Sequence, residues 1–464
     1  MQIVIAGLGK VGSYLAGELS MEGHDLMVVD TKPEKVRNVT GQFDVMGLSG
    51  SIVDSQTLQE TGMENADLFI AVTTNDEINL LSCLLAKKAG CSRTIARVRN
   101  PEYAESLDYF KEQLGLEMIL NPEMLAAQEI ERVLSLPGAI DVDVFSSDNG
   151  QIYKFRIQPG SVLDGMPVKN VPSRVHNDVL ICVDERNGQA HIPDGEFELQ
   201  GKDLLYIAGS RKGAEEFFRK AGIRNEPARQ VMIVGAGKIA HYLVSLLEAQ
   251  AVDVTVIERD LESCERFSVL HPNTVVIQAD ACEQRAMEEE GLLDMDALVS
   301  LTGFDEENVF LSLYASKKAG LKTVTKVNRI FFNEVIQEMD LDSLINSKKL
   351  TAEYIIRHVR AINNSFGSNV ETIHKLANDQ VEAVEFHICA GAPVIGIPLK
   401  DLPLKSGVLI ALITRAGETI LPRGSDVMQE GDSVVVITNR SGFMDISDVL
   451  SSKARGSRTG RSRS

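Results

Sequence analysis

Two glycine-rich segments hold the residues of this sequence best suited to bind a ligand. The first follows an apolar run and consists of Gly7, Leu8, Gly9, Lys10, Val11 and Gly12. In this spacing the first two glycines form a tight turn that lets the backbone approach a phosphate, and the third lets the next helix pack closely on the strand. The N–H groups and the partial positive charge at the start of that helix favour a pyrophosphate. The segment therefore predicts a nucleotide site.

An acidic residue at the end of the next apolar run supports the same prediction. Asp30 lies 18 residues after Gly12, where sites of this kind place an acceptor for the ribose hydroxyls. A carboxylate there disfavours a 2′-phosphate, so NAD (NAD+ or NADH) or an adenine nucleotide such as ATP or ADP is expected rather than NADP. The alternative is a turn of the same shape that has lost its nucleotide.

The second glycine-rich segment repeats the first with one change. It consists of Gly235, Ala236, Gly237, Lys238 and Ile239, and Glu258 takes the position of Asp30. Ala240 stands where the third glycine is expected, a replacement that such sites tolerate. The larger side chain is expected to weaken binding, and an empty second site is the alternative.

Residues that follow the other strands are expected at the same edge of each sheet, because ligands bind beyond the carboxyl ends of parallel strands. The residues expected beside the glycine turns are Gly50, Ser51, Thr73, Thr74 and Arg97, with Thr302 in the second copy. Thr74 and Glu77 also match a helix capping box, which is a structural role. Arg97 and its counterpart Lys326 are expected to contact a ligand phosphate or a neighbouring subunit, the alternative being an ordinary surface charge.

The elements that must position these residues occur twice in the chain. Residues 2–12 resemble residues 230–240, and residues 66–79 resemble residues 295–308, at nearly constant separations of 228 and 229 residues. Within each copy, apolar runs of strand length alternate with helical patterns, which is typical of a mostly parallel sheet covered by helices. The sequence therefore predicts an internal duplication of one α/β unit.

A smaller module follows each α/β unit and is also repeated. Residues 192–209 resemble residues 421–438, and both are short β-branched runs with glycine and proline turns. We expect an α/β fold with two Rossmann-like parallel-sheet domains, 1–136 and 227–366, that alternate with two small α+β domains, 137–226 and 367–450. Residues 225–229 are expected to link the repeats, and the basic tail 451–464 to be disordered.

Composition and missing motifs exclude several classes of protein. The 464 residues carry 47 Lys and Arg against 66 Asp and Glu, a net charge of −19, which disfavours binding to nucleic acid. We expect a cytoplasmic protein, because the sequence begins in a strand pattern without a signal peptide and has no apolar run of spanning length. It shows no metal-binding or nucleophile motif and no clustered acid/base residues, so no catalytic residue, no metal site and no enzyme activity are expected.

The openings of the two α/β units, the 66–79 segment and the strand that contains Arg97 resemble the duplicated RCK (KTN) family, in particular its Trk potassium-uptake regulators. The resemblance implies a tetrameric ring of this chain on the inner face of the cell membrane, bound to a membrane-embedded Trk-type potassium transporter subunit. It also implies that NAD(H) or ATP/ADP binding changes ion flux, with nucleotide contacts at Gly7–Val11, Asp30, Ser51, Thr73 and Arg97 and at Gly235–Ile239 and Glu258. The alternatives are an NAD-dependent oxidoreductase and a regulator of a cation/proton antiporter or an efflux channel.

Overall fold

The structure is a computed structural model that describes residues 1–101, 103, 107–145, 150–175, 178–223, 226–328, 339, 341–364 and 369–451. Three predictions fall wholly or partly outside these residues. They are the start of the 225–229 linker, the boundary at residue 366 and the basic tail beyond Ser451.

The first parallel domain is a six-stranded sheet with the strand order β3-β2-β1-β4-β5-β6. Its elements are β1 Gln2–Ala6, α1 Lys10–Met21, β2 Asp25–Asp30, α2 Pro33–Thr40, β3 Met46–Ser49, α3 Ser55–Glu60, β4 Leu68–Ala71, α4 Asp76–Ala89, β5 Arg93–Arg97, α5 Leu107–Leu114, β6 Met118–Leu120 and α6 Pro122–Ser135. The strand order reverses between β1 and β4, so the carboxyl ends of these two strands border the crevice where doubly wound sheets bind ligands.

The first antiparallel domain is a five-stranded sheet with the order β10-β9-β11-β8-β7. Its elements are β7 Asp141–Val144, β8 Gln151–Arg156, α7 Val171–Arg174, β9 Val179–Arg186, β10 Gln189–His191, β11 Leu204–Gly209 and α8 Arg211–Ala221. Helix α8 is strongly amphipathic and inserts Phe217 and Phe218 against Phe155 of the sheet, with all three side chains fully buried.

The second parallel domain repeats the first, with the strand order β14-β13-β12-β15-β16-β17. Its elements are β12 Gln230–Val234, α9 Lys238–Glu248, β13 Asp253–Glu258, α10 Leu261–Leu270, β14 Val275–Gln278, α11 Gln284–Glu289, β15 Ala297–Ser300, α12 Asp305–Ala319, β16 Lys322–Lys326, β17 Ser343–Ile345 and α13 Ser347–Asn364. The central strands β12 and β15 are buried apart from one terminal residue, as expected for strands covered on both faces.

The second antiparallel domain has the strand order β18-β19-β22-β20-β21. Its strands are β18 Val370–Leu376, β19 Val381–His387, β20 Val408–Arg415, β21 Glu418–Ile420 and β22 Ser433–Thr438. The predicted fold class, two Rossmann-like domains alternating with two small domains, is confirmed.

The four domains group into two compact units. One unit comprises Met1–Glu131 and Ala228–Ile356, so it contains both parallel sheets, and the other comprises Arg132–Pro227 and Arg357–Ser464. In the second unit the antiparallel domains share a hydrophobic cluster that includes Phe145 and Tyr206 of one domain and Leu412 and Val435 of the other. Each domain therefore packs on its own repeat.

Candidate functional site

The glycine turns join a strand to a helix, as the sequence predicts. Gly7 and Gly235 have φ values of +98° and +103°, a left-handed conformation that side chains other than glycine rarely adopt. A Cβ atom on Gly7 would lie 2.7 Å from the Thr73 backbone nitrogen. The turn therefore needs glycine for both its backbone conformation and its close approach to the strand end at Thr73.

The third position of the turn distinguishes the two copies. A Cβ atom on Gly12 would lie 1.9 Å from the Gly7 carbonyl oxygen, so the first copy has no room for a side chain there. Ala240 holds this position in the second copy and is fully buried. The first position of the turn also differs between the copies. A Cβ atom on Gly235 would lie 3.2 Å from its nearest neighbour, the Leu301 carbonyl carbon, compared with 2.7 Å for a Cβ atom on Gly7. The second turn is therefore packed less tightly than the first.

The helices that start at these turns offer free N–H groups. Helix α1 begins at Lys10 after the N-cap residue Gly9, and α9 begins at Lys238 after Gly237. Because glycine has no side chain, neither N-cap residue can satisfy the first N–H groups, and neither helix has an acidic residue in its first turn. Both helix starts can accept an anion.

The acidic residues at the ends of β2 and β13 are tied to the glycine turns. The Asp30 carboxylate accepts hydrogen bonds from the Leu8 backbone N–H at 2.7 Å and the Lys32 backbone N–H at 2.9 Å, and Lys35 Nζ lies 3.1 Å away. Burial alone would raise the pKa of Asp30, but these hydrogen bonds and the charge of Lys35 outweigh burial and hold that pKa below its usual value. Asp30 is therefore a fixed carboxylate at the site.

Glu258 makes the same two backbone contacts in the second copy. Its carboxylate accepts from the Ala236 N–H and from the Asp260 N–H, each at 2.9 Å. The longer glutamate side chain therefore reaches the turn as Asp30 does. The counterpart of Lys35, however, is the uncharged Ser263. Its backbone N–H donates a hydrogen bond to the Asp260 carboxylate. The first site has a cation beside its acid, whereas the equivalent position in the second site is uncharged.

Gly50 and Ser51 lie next to Asp30. They follow β3, and the Gly50 N–H donates to the Asp30 carbonyl oxygen at 3.1 Å. A Cβ atom on Gly50 would lie 2.6 Å from Thr57 Oγ1, so the chain passes close to α3 at this point. The structure thus brings Gly50 and Ser51 to the edge that carries the acid.

A buried asparagine holds the ends of β4 and β5 together. Asn79 Oδ1 accepts from the backbone N–H of Thr73 at 2.9 Å and from its hydroxyl at 2.7 Å, while Asn79 Nδ2 donates to the Arg97 carbonyl at 2.8 Å. Asn308 makes the equivalent bonds to Thr302 at 2.9 and 2.8 Å and to the Lys326 carbonyl at 3.0 Å. The sequence analysis missed both asparagines, although their equal position in the two repeats was a usable signal.

The capping box expected at Thr74 and Glu77 is wrong. Helix α4 begins at Asp76, so Asn75 is the N-cap residue and its side chain accepts from the Ile78 N–H at 2.7 Å. Glu77 instead accepts from the Tyr103 hydroxyl at 2.8 Å. The predicted start of the helix was one residue too early, which moved the cap to the wrong side chain. Thr74 itself is exposed.

Arg97 and Lys326 are not ordinary surface charges. Both are half-buried, and burial lowers the pKa of each. Arg97 Nη2 donates to the Thr73 carbonyl, while Lys326 Nζ donates to the carbonyls of Leu301 at 3.2 Å and Thr302 at 3.1 Å. Arg97 Nε is buried and has no hydrogen-bond partner. Each cation therefore lies beside a predicted ligand-contacting threonine.

The two parallel domains bring further cations together within their unit. Lys10 Nζ of the first glycine turn donates to the Asn328 carbonyl of the second domain at 2.8 Å. Asn121 Nδ2 donates across the same boundary to the Tyr242 hydroxyl at 2.9 Å. Burial, and next the charge of Lys10, lowers the pKa of Lys348, which lies in the first turn of α13. Lys10, Lys326, Lys348 and Arg99 therefore lie near one another at this boundary, together with the acids Asp305 and Glu123.

Other kinds of site are not seen in the described part of the chain. No group of three or more His, Cys, Asp or Glu side chains there has the geometry of a metal site. No helix among the described residues is both long enough and apolar enough to cross a membrane.

Comparison with known proteins gives the same domain order as the structure. The TrkA-N domain matches residues 3–122 and 231–347, and the TrkA-C domain matches residues 152–222 and 383–451. The Trk system potassium uptake protein TrkA homolog of Archaeoglobus fulgidus is 30% identical over 451 residues, covering 97% of this chain and 100% of the relative. The Trk system potassium uptake protein TrkA of Halomonas elongata is 28% identical over 442 residues, covering 94% and 95%.

Solved structures show the same fold. The GsuK RCK domain has a TM-score of 0.58 at 18% identity and covers 94% of this chain and 92% of its own chain. The GsuK channel described as bound to NAD has a TM-score of 0.59, also at 18% identity, with coverages of 94% and 76%. Since TrkA-N and TrkA-C domains alternate twice along the sequence and a TrkA homolog aligns over almost its whole length, the chain belongs to the duplicated TrkA family.

Proposed function

We propose that this chain is the nucleotide-binding regulatory subunit of a Trk-type potassium uptake system. The observation that carries the proposal is the full-length match to relatives named Trk system potassium uptake proteins, with both halves of the duplication present. The ligand is a nucleotide, and the binding event controls ion flux through a separate membrane-embedded transporter subunit. The chain itself makes and breaks no bond.

The first nucleotide site is formed by the turn Gly7–Gly12 and its neighbours. The N–H groups at the start of α1 hold the phosphates, and Asp30 accepts hydrogen bonds from the ribose hydroxyls. Gly50 and Ser51 lie on the adenosine side, and Thr73, Thr74 and Arg97 lie on the phosphate side. A buried Nε without a partner supports the role of Arg97, because a phosphate or nicotinamide group would satisfy it.

The proposed ligand is NAD+ or NADH, with ATP or ADP as the other adenine nucleotides that fit the same contacts. An ionised Asp30 favours free 2′- and 3′-hydroxyls, which all four molecules have. The GsuK channel described as bound to NAD shares the fold, and this supports placing a dinucleotide at the turn.

The second site uses Gly235–Ile239, Glu258 and Thr302 in the same roles. Its turn is packed less tightly at Gly235, Ala240 replaces the third glycine, and Lys326 replaces Arg97 with a single ammonium group. We therefore propose the same ligand class at lower affinity.

The working form is proposed to be a homo-oligomeric ring, a tetramer, on the inner face of the cell membrane. Helices α4 and α12 expose apolar side chains at equivalent positions, Leu81 at 47% and Phe310 at 68% exposure. Such faces suit contact with a second copy of the chain. A nucleotide would then act on transport by binding one shape of the ring better than another, which for typical couplings changes affinity about 5–150-fold.

The test combines binding with transport. Calorimetric titration of the purified full chain with NADH, NAD+, ATP and ADP is expected to give at least one saturable isotherm, and deletion of the gene is expected to reduce potassium uptake in whole cells. Unchanged potassium uptake, together with co-purification of an antiporter or efflux channel, would show that the chain regulates that protein and not a Trk-type transporter. Hydride transfer from bound NADH to a metabolite would contradict the proposal and show that the protein is an oxidoreductase.

A further inference from the structure

An arginine–aspartate pair is repeated contact for contact in the two antiparallel domains. Arg186 binds Asp203 at 3.0 and 2.7 Å, and Arg415 binds Asp432 at 2.8 and 2.8 Å. Each arginine also donates to a backbone carbonyl, that of Glu198 at 2.8 Å or of Val427 at 2.9 Å. The two antiparallel domains therefore share the same ion pair with the same additional backbone contact.

The first domain contains one additional acid at this pair. Asp184 lies on β9 with 0% exposure, and no N–H or hydroxyl donor reaches its carboxylate oxygens, whose hydrogen-bonding neighbour is another carboxylate, that of Asp203. The equivalent residue in the second domain is Ile413, which is also buried. The ion pair that the two domains share therefore does not need Asp184, because the second domain keeps the pair with an isoleucine at the equivalent position.

The groups around Asp184 do not neutralise it. Arg186 Nε lies 3.9 Å from Asp184 Oδ2, but this guanidinium is already bound at both ends to Asp203. Asp203 adds a negative charge next to it, and Glu185 and Glu198 lie on β9 and on the segment before β11. The strand on the other side, β10, pairs His191 with Asp184 in register. An ionised Asp184 would be a buried charge that shares the single cation Arg186 with the better placed Asp203, which is unfavourable.

We propose that Asp184 is a proton-binding site of the first antiparallel domain, neutral when β9 is in the observed position and displaced from it when ionised. Burial, and next the charge of Asp203, raises the pKa of Asp184 to about 7. Both protonation states are therefore populated near neutral pH. The following residue, Glu185, accepts from the Tyr206 hydroxyl at 3.1 Å and from Asn378 Nδ2 of the other antiparallel domain at 3.2 Å. A shift of β9 would thus reach the contact between the two domains.

The sign of the pH effect follows from linkage. The unfolded chain ionises this side chain near pH 4, while the folded domain keeps the proton to about pH 7, so stability falls as the pH rises through this interval and is constant above it. A gap of about three pH units corresponds to at most about a thousandfold change in the folding equilibrium.

The test compares the full-length protein with Asp184→Asn, which keeps the size of the side chain and cannot ionise. Between pH 5 and pH 7 the melting temperature of the wild type should fall relative to the variant, and the difference should stay constant at higher pH. Asp184→Ile, which installs the residue of the second domain, should behave like the asparagine variant. Parallel pH profiles for wild type and both variants would overturn the proposal.

A second measurement does not depend on how well a variant folds. Infrared difference spectra of the wild type between pH 6 and pH 8.5 should show loss of a neutral carboxylic-acid carbonyl band, and Asp184→Asn should lack that band. Hydrogen exchange of β9, corrected for the intrinsic effect of pH, should increase over the same interval. Absence of the band in the wild type would exclude a protonated Asp184.

Discussion

At the residue scale, one methyl group distinguishes the third position of the glycine turn in the two proposed nucleotide sites. Gly12 has no room for a Cβ atom, whereas Ala240 carries one and its turn is accordingly more open. The sequence shows this difference and predicts that it weakens nucleotide binding at the second site. It does not predict the size of the clash, because 1.9 Å between a Cβ on Gly12 and the Gly7 oxygen depends on how far the helix lies from the strand.

We expect Gly12→Ala to weaken nucleotide binding at the first site by about 1–3 kcal/mol, since the added methyl group must push the turn away from the helix. Ala240→Gly is the reverse change, and the affinity of the second site for the nucleotide should be equal to or higher than that of the wild type. Calorimetric titration of both variants measures this, and equal affinities for wild type and Gly12→Ala would contradict the packing argument.

Asp30→Ala is expected to cost about 1–3 kcal/mol of binding, because it leaves the ribose hydroxyls and the Leu8 N–H without their acceptor. Asp25→Ala, an exposed carboxylate at the other end of β2, is the matched control and should bind normally. Since the pKa of Asp30 is lowered in the folded state, its contribution to stability is present above about pH 4 and is lost only as the pH falls below that value. Unchanged affinity in the Asp30 variant would refute its assignment.

At the scale of elements, most of the secondary structure could be predicted because it occurs twice. The sequence predicts strands that alternate with helices in both copies, and the structure has this alternation in both parallel domains. The error at Thr74 shows the limit, since a capping pattern does not say which of several polar residues comes last before the helix. The burial of Arg97 was also beyond the sequence, because it depends on packing around the strand end.

Asn79→Ala is expected to destabilise the first parallel domain by about 1–3 kcal/mol, because the Thr73 N–H and the Arg97 carbonyl lose buried partners. It should also weaken binding at the first site by freeing the two strand ends that carry Thr73 and Arg97. Asn308→Ala is the matched variant and should affect only the second site. Thermal melting and calorimetric titration test both, and normal binding by the Asn79 variant would argue against a positioning role.

At the scale of the whole molecule, the domain order along the chain differs from the grouping in space. The sequence shows parallel and antiparallel domains in alternation, but the compact units pair each domain with its own repeat. Contacts such as Lys10 with Asn328 join residues 318 positions apart. Their partners cannot be inferred from a repeat pattern alone, because a repeat says that two segments are alike and not that they touch.

The proposed ring makes a prediction at this scale. Leu81→Asp and Phe310→Asp place a charge on the exposed faces of α4 and α12 and should shift the protein from oligomer to smaller species. Met21→Asp, at another exposed apolar position with 70% exposure, is the control and should leave the assembly intact. Light scattering coupled to gel filtration gives the mass, and an unchanged mass for the double variant would place the self-contact elsewhere.

Covalent duplication has a consequence for how such a regulator would respond. The proposed high-affinity and low-affinity sites would always be present in a one-to-one ratio, whatever the level of expression, because a single polypeptide carries both Gly12 and Ala240. A rising metabolite concentration would then fill one class of pocket before the other. The output would be graded over a wider span of concentrations than any single dissociation constant allows.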